Sequence, residues 1–343
     1  MNILIFGGIG FIGVNIILEA LSRGHKLTAF DNLQRPGVIE NLQILKNLPH
    51  FTFLYGDIRN REDFKQLPQS IDCIINLAAN PSVPRSIVQP VFDFEINVVG
   101  HLNILEYAKH HGKIPVILAS SNKVYTDKIN TFPIRELPSR YAYVNKRLDA
   151  YGIDETADVG GHDGFTNSPY GVAKLAAEKY SREYWKQYDV PIVINRMSCI
   201  YGLYQKGVEE QGWVDWFLRA KKEKKPIIIY GDGKQVRDLL FGTDVARLYL
   251  YEVEHMDKVN GKTFNVGGGP GKGFNVSLLE IIDLINAEFP GNPLRYSLKP
   301  WRSSDQRIFI SDIRNVVSVT SWKPMTQILD VLKFMWKSYD LFV

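Results

Sequence analysis

Residues 2–13 leave the chain few folds to choose from. Asn2-Ile3-Leu4-Ile5-Phe6 is a continuous apolar run, the pattern of a strand buried in a parallel sheet. Gly7-Gly8-Ile9-Gly10-Phe11-Ile12-Gly13 follows at once, and a helical pattern then covers 14–22. A glycine turn that feeds a helix offers unpaired backbone N–H groups and the positive end of the helix dipole to a phosphate. Gly7 permits the tight turn, Gly10 lets the backbone approach a pyrophosphate, and Gly13 lets helix and strand pack closely, with Phe11 and Ile12 beside them. A second strand, Leu27-Thr28-Ala29-Phe30, ends in Asp31, 18 positions after Gly13. That spacing suits a carboxylate that accepts a ribose 2′-hydroxyl. The same acid repels a 2′-phosphate, and Asn32-Leu33 supplies no arginine in its place, so NAD is favoured over NADP.

The alternation continues down the chain. Phe51-Thr52-Phe53-Leu54-Tyr55, Cys73-Ile74-Ile75-Asn76-Leu77 and Pro115-Val116-Ile117-Leu118-Ala119 read as strands, with a long helix over 92–110. Strands over 192–195 and 264–266 flank a helix over 244–254. Strands alternating with helices predict an α/β, Rossmann-type doubly wound parallel sheet, whose ligands bind at the carboxyl ends of the strands. Gly7, Asp31, Asp57, Ala78 and Ser121 fall at such ends, and Ile58, Leu77 and Ala79 adjoin them. Asp57 reads equally as an adenine contact or as a helix N-cap. The dinucleotide-binding part is expected at 1–202 with 236–271 and 307–320. A smaller interleaved part is expected at 203–235 and 272–306, with a C-terminal helix over 321–343. Ser277 is a plausible helix cap. Residues 126–167 show little regular pattern and read either as a wall or lid by the site or as an inert insertion.

Composition excludes several classes. The net charge of +4 over 343 residues is small, and no basic run with interleaved aromatics points to nucleic acid. Lys221-Lys222-Glu223-Lys224-Lys225 reads as a solvated helix end. Cys73 and Cys199 stand in separate apolar runs, as buried reduced thiols, and no zinc spacing occurs. The apolar start lacks a basic flank, and no window is apolar enough to span a bilayer. A cytoplasmic protein with no membrane partner and no metal is expected.

Chemistry is concentrated in Ser168-Pro169-Tyr170-Gly171-Val172-Ala173-Lys174. Tyr170 and Lys174, four apart, share a helix face. An ammonium beside a phenol favours the phenolate and lowers a pKa that starts near ~10, which makes a proton acceptor. Such a pair is a weak signal alone and gains weight from the glycine turn, Asp31 and Ser121.

Together Gly7, Gly10, Gly13, Asp31, Ser121, Tyr170 and Lys174 resemble the extended short-chain dehydrogenase/reductases, which modify nucleotide-activated sugars. Gly231-Asp232-Gly233-Lys234-Gln235-Val236-Arg237-Asp238 and Arg302-Ser303-Ser304-Asp305 look like that family's nucleotide-sugar segments. The branch of the family that acts at C2 of CDP-hexoses (the paratose/tyvelose type) is similar at four stretches. These are Ser121-Asn122-Lys123-Val124-Tyr125, Gln211-Gly212-Trp213-Val214-Asp215-Trp216-Phe217, 233–238, and Ser304-Asp305-Gln306-Arg307. The insertion carrying Tyr151-Gly152-Ile153-Asp154-Glu155 is similar as well.

The resemblance implies transient oxidation of a sugar hydroxyl. Tyr170 takes the proton, NAD takes the hydride, Lys174 lowers the tyrosine pKa, and Ser121 bonds the reacting oxygen. A keto-sugar turns over and is reduced on its other face. Sugar dehydratases of this superfamily carry an Asp-Glu pair beside the serine, whereas Asn122 and Lys123 stand here. An amide is no general acid and an ammonium no ready base, which favours epimerisation. Lys123 reads as cationic support or substrate contact, with a surface lysine as the plain alternative. Arg237 and Arg302 are candidates for the diphosphate. Gln211 and Trp213 are candidates for the nucleotide pocket, with Trp216 more a core residue. Arg307 is placed to pair with Asp305. Many relatives carry asparagine at the position of Cys199. The expected ligand is a nucleotide-diphosphate sugar, CDP-linked by preference, and the helices around 97–111 and Tyr170 form a dimer interface in relatives, so a homodimer or homotetramer is implied. A 4-epimerase of UDP-sugars and a silent NAD-binding regulator are the alternatives, the second disfavoured by the presence of Ser121, Tyr170 and Lys174.

Overall fold

The computed structural model describes residues 1–302 and 305–339. Ser303 and Ser304 of the expected arginine segments, and 340–343 of the expected last helix, lie outside the described residues. Seven strands form one parallel sheet: β1 (Asn2–Phe6), β2 (Lys26–Asp31), β3 (Phe51–Tyr55), β4 (Cys73–Asn76), β5 (Val116–Ser121), β6 (Ile192–Met197) and β7 (Thr263–Val266). Their order is β7-β6-β5-β4-β1-β2-β3. The chain runs outward from β1 to β3, then returns to the other side of β1 for β4, so the carboxyl ends of β1 and β4 flank the switch point at which such sheets bind ligands. This is the doubly wound class that the alternation predicts. Strand pairing carries β2 through Asp31 and β5 through Ser121, so both functional candidates are the last paired residues of their strands.

Helix α1 (Phe11–Ser22) starts three residues earlier than its apolar pattern suggests. Gly10 caps it with no side-chain bond, so its first-turn amides stay open toward the crevice. The expected helix over 92–110 is three joined pieces, Pro90–Phe94, a π-helical Glu95–Gly100 and His101–His110. Helix α2 (Pro169–Tyr188) carries Tyr170 and Lys174. Helix α3 (Gly242–Glu254) packs with α1 in the core around Ile5, Ile16, Val245 and Phe264.

A second layer is built on Val236–Phe241, which pairs with Asn275–Ser277, Ile308–Phe309 and Cys199–Tyr201. Ile227–Tyr230 and Tyr296–Lys299 form a separate parallel pair. The core here contains Phe217, Leu218, Ile281, Ile285, Leu332 and Met335. Ser277 caps helix Leu278–Glu288 in a reciprocal box with Glu280, as its sequence suggests.

Residues 126–167 are folded rather than irregular. Ile134–Glu136 pairs with Tyr141–Tyr143, and helix Lys146–Tyr151 follows. Tyr141, Tyr143, Leu148 and Ile153 share a core with Val236, Ile308 and Phe309, and Ile153 bridges to Ser311. Strands of three residues are too short to show a period, which hides them in the sequence. Lys221 also departs from expectation: it is buried, and its Nζ donates to Asn292 O (2.8 Å) and Asn286 Oδ1 (3.2 Å). Among the described residues no helix is long and apolar enough to cross a membrane, and no His/Cys/Asp/Glu group could hold a metal ion.

Glu252 of α3 lies inside the core. Asn195 Nδ2 donates to its Oε2 (2.8 Å), while its Oε1 has no hydrogen-bond partner among the described residues. Burial pushes this acid from its ordinary 4.5 up to about 8. Between those values the native chain keeps a proton that the unfolded chain has lost. This group's contribution to stability therefore falls as pH rises from about 4.5 to about 8. Glu252→Gln removes the titration. Its Tm, followed by scanning calorimetry, is expected to drop less than the parent's across this window; parallel curves would refute the assignment.

Candidate active site

The turn after β1 forms a cradle. Gly7 has φ 73°, and a Cβ there would meet Ala78 N at 2.7 Å; a Cβ on Gly13 would meet Gly8 O at 2.3 Å. At Gly10 a Cβ would meet only Gly7 O, at 3.2 Å, so this face of the turn is open to a ligand. Asp31 is fixed at the rim, its Oδ1 accepting Leu33 N–H (2.8 Å) and its Oδ2 Ile9 N–H (3.2 Å). Open amides beside a positioned carboxylate fit a dinucleotide's pyrophosphate and ribose. Asp57 accepts from Asn32 Nδ2 (3.0 Å) and from Arg59. Burial works against its charge, but the bonds from Arg59 and Asn32 outweigh it and hold the carboxyl at about 2. The N-cap reading of Asp57 does not hold, because Asn60 caps the next helix.

A cleft of about 930 Å³ runs from this cradle to the second layer. The candidate cofactor, catalytic and substrate residues read from the sequence line it. Gly7, Gly10, Phe11, Ile12, Asp31, Asn32, Asp57, Ile58, Leu77, Ala78 and Ala79 lie toward the turn, and Ser121, Asn122, Lys123, Tyr170, Lys174, Gln211, Trp213, Arg237 and Arg302 complete the wall. Sequence reasoning missed Arg35, Gln205, Glu210 and the segment around Ser82 and Arg85, which also line it. Arg35 donates to Gln211, so the turn after β2 touches the loop of the second layer. Lys206 pairs with Glu40, and Asn41 Nδ2 donates to Tyr204 O (3.3 Å), which straps that loop down. Only the position of Arg35 shortly after the ribose acid signals it in the sequence.

Local chemistry places Tyr170. Ser168 Oγ accepts Gly171 N–H (3.2 Å) as the N-cap of α2, and Pro169 takes the first helical position. Gly171 lets the helix approach the turn after β5, since a Cβ there would meet Lys123 O at 2.2 Å. Tyr170 N–H donates to Ser86 Oγ (3.1 Å). Tyr170, Ser121 and Lys174 are all buried. Lys174 Nζ donates to Ala119 O (3.0 Å) and lies 6.0 Å from the Tyr170 ring centroid. Burial pushes the Tyr170 phenol up to about 12; Ser121 works against that rise and the nearby Asp93 carboxylate adds to it. Burial also lowers the Lys174 ammonium to about 8, against the pull of Asp93 and Glu178. The expected lowering of Tyr170 by Lys174 is thus absent from the free protein, where desolvation dominates.

On the opposite wall, Arg302 lies 3.8 Å over the Tyr230 ring. Asp305 pairs with Arg237 (3.2 Å), which also donates to Gln306 O (2.6 Å). The expected Arg307–Asp305 pair is not formed; Arg307 lies over the Trp301 ring instead. Trp213 faces the cleft and donates to Cys199 Sγ (3.1 Å), while Trp216 packs on the second core. Cys199, on the strand that pairs with Val236–Phe241, is half-buried: it lines the cleft and also packs against the second core. Asn122 Nδ2 donates to Gln306 Oε1 (3.4 Å). The Lys123 ammonium has no hydrogen-bond partner among the described residues, and burial, opposed by Asp305, lowers it to about 8.

Comparison with known proteins agrees with this geometry. Residues 3–267 match the sequence model of the NAD dependent epimerase/dehydratase family. The chain is 37% identical to a CDP-paratose 2-epimerase of Salmonella typhi over 99% of this chain and 98% of that one. Its fold superposes on a UDP-glucose 4-epimerase of Thermotoga maritima, solved with UDP-glucose, at a TM-score of 0.80 and 25% identity, covering 100% and 99% of the two chains. It also superposes on Pal from Bacillus thuringiensis at 0.82 and 25%, with both chains covered in full. The chain belongs to the NAD dependent epimerase/dehydratase family.

Proposed function

We propose that this protein inverts C2 of a CDP-activated hexose by transient oxidation and reduction. The observation that carries the reading is the turn after β5, where Asn122 and Lys123 follow Ser121. Elimination of water needs an acid and a base at the sugar, and an amide with an ammonium supplies neither readily. Epimerisation needs only a reversible proton carrier and a hydride acceptor. The similarity over nearly the whole chain to a CDP-paratose 2-epimerase supports both the base and the carbon atom.

Gly7, Gly10, Phe11, Ile12 and Asp31 hold the cofactor; NAD, when bound, accepts the hydride and returns it. Ser121 orients the reacting oxygen. Tyr170 takes the hydroxyl proton and restores it after the planar sugar has presented its other face. Its phenol is held up to about 12 in the free protein, so the transfer depends on cationic support, for which Lys174 has two donors left beyond its bond to Ala119. Arg237 and Arg302 flank the diphosphate, and Lys123 reaches a sugar or phosphate oxygen.

The test is incubation of the NAD-loaded protein with CDP-paratose or CDP-tyvelose, with H2 and C2 followed by NMR. Interconversion at C2 is expected. Inversion at C4 of a UDP-hexose alone rejects the reading in favour of a 4-epimerase.

A further inference from the structure

Asp93 is a buried carboxylate that the proton transfer above does not use. It is 1% exposed. Asn80 Nδ2 (2.8 Å) and Asn97 Nδ2 (3.0 Å) both donate to its Oδ1, while its Oδ2 has no hydrogen-bond partner among the described residues. Burial raises the Asp93 carboxyl above its usual range, and the two amides and the Lys174 charge work against that rise and favour the carboxylate. Helix Pro90–Phe94 packs against α2, and the Asp93 and Lys174 charges act on each other.

The other groups around Lys174 do not balance its charge. Glu178, one turn further along α2, is committed to Arg196, whose Nη2 and Nε reach its carboxylate at 2.8 and 3.0 Å, and it also accepts from Ser120 Oγ (2.6 Å). His101, from the following helix, is bonded to Asn76 and Ser181 and is kept neutral by burial. Tyr170 is protonated in the free protein at neutral pH. Asp93 is therefore the carboxylate near Lys174 that has no cation of its own among the described residues.

We propose that Asp93 is a positioning residue of this site, the counter-charge that keeps Lys174 cationic and so sets the pH window in which Tyr170 exchanges protons. The role given to Tyr170 rests on the epimerase reading; the counter-charge itself does not. Removing one negative charge favours the phenolate and disfavours the ammonium, so both groups titrate at lower pH.

The deciding measurement is made on the protein without substrate. Lysine is labelled with ¹³C at Cε, the Lys174 resonance is assigned by its loss in Lys174→Ala, and its shift is followed against pH. The parent midpoint is expected near 8. Asp93→Asn, which is isosteric and keeps an oxygen for the two amides, is expected to lower it by about one unit. Asp93→Glu, which keeps the charge, is expected to lower it less. An unmoved midpoint in Asp93→Asn, or an equal fall in both variants, overturns the proposal. Should Asp93→Asn fail to fold, the uncharged Asp93→Gln is compared with the charged Asp93→Glu of the same size, and equal midpoints in the two are again decisive. In turnover, both limbs of the pH profile of Asp93→Asn are expected to move to lower pH together; a uniform loss with fixed limbs marks a merely structural residue. If CDP-hexoses are not turned over, the resonance still decides.

Discussion

Tyr170→Phe is expected to lose about 10²–10⁴-fold in turnover, the range for removing a positioned proton carrier. The phenol is buried at the start of α2, so its ring can stay in place without its oxygen. The variant should fold and should retain bound NAD, since the glycine cradle and Asp31 lie on other elements. Single-turnover rates, with the retained nicotinamide read by absorbance after denaturation, test both halves. Loss of NAD together with loss of turnover points to a structural tyrosine. Unchanged turnover removes Tyr170 from the chemistry, and with it the reading of this cleft as a proton-relaying site.

Breaking the Arg196–Glu178 pair is expected to give the largest loss of stability. Their side chains are 4% and 1% exposed, and Arg196 also donates to Tyr125 Oη (3.2 Å) and Glu155 O (3.2 Å). One side chain thus joins β6, α2 and the insertion. Arg196→Ala leaves a buried carboxylate without its cation and is expected to cost about 3–5 kcal/mol in urea unfolding. Removing both charges, as Arg196→Met with Glu178→Leu, should recover much of that loss, because the desolvation of Glu178 is relieved. A double variant no more stable than the single one would show that the lost contacts, not the stranded charge, dominate. Because α2 also carries Tyr170 and Lys174, turnover should fall in Arg196→Ala even where the protein remains folded.

The parts of the fold that could be read from sequence are those governed by short-range rules. A buried strand is a continuous apolar run, a phosphate cradle needs glycine at set intervals, and a ribose-binding acid is expected at a set distance, so Gly7, Gly10 and Asp31 stand out as candidates, and the structure brings them to one cleft. Tyr170 and Lys174 are legible through helical spacing once a dinucleotide cleft is expected. Pairings between distant segments were not legible. Arg35 meets Gln211 across 176 positions, and Tyr143 donates to Ile308 O across 165. No periodicity carries such information. Electrostatics failed for a related reason. Spacing places an ammonium near a phenol, but burial decides which of the two gives up its charge, and burial belongs to the assembled site. Asp93 escaped notice for the same reason, since on a helix of ordinary pattern its sequence neighbours do not reveal the two amides that enclose it.

The insertion has a consequence for how the protein is made. Ile153 N–H donates to Ile310 O (2.8 Å), and Ile153 bridges to Ser311, which leaves the ribosome 158 residues later. At ~5–20 residues per second this is a wait of roughly 8–30 s. During that interval β1 to β5 and the glycine cradle have already been synthesised, while the wall over 126–167 lacks the partner strand that covers its aromatic side. The turn after β1 can therefore be in place before the far wall of the cleft is completed on the nascent chain. The last strand to arrive among the described residues, Ile308–Phe309, finishes both the second sheet and the wall.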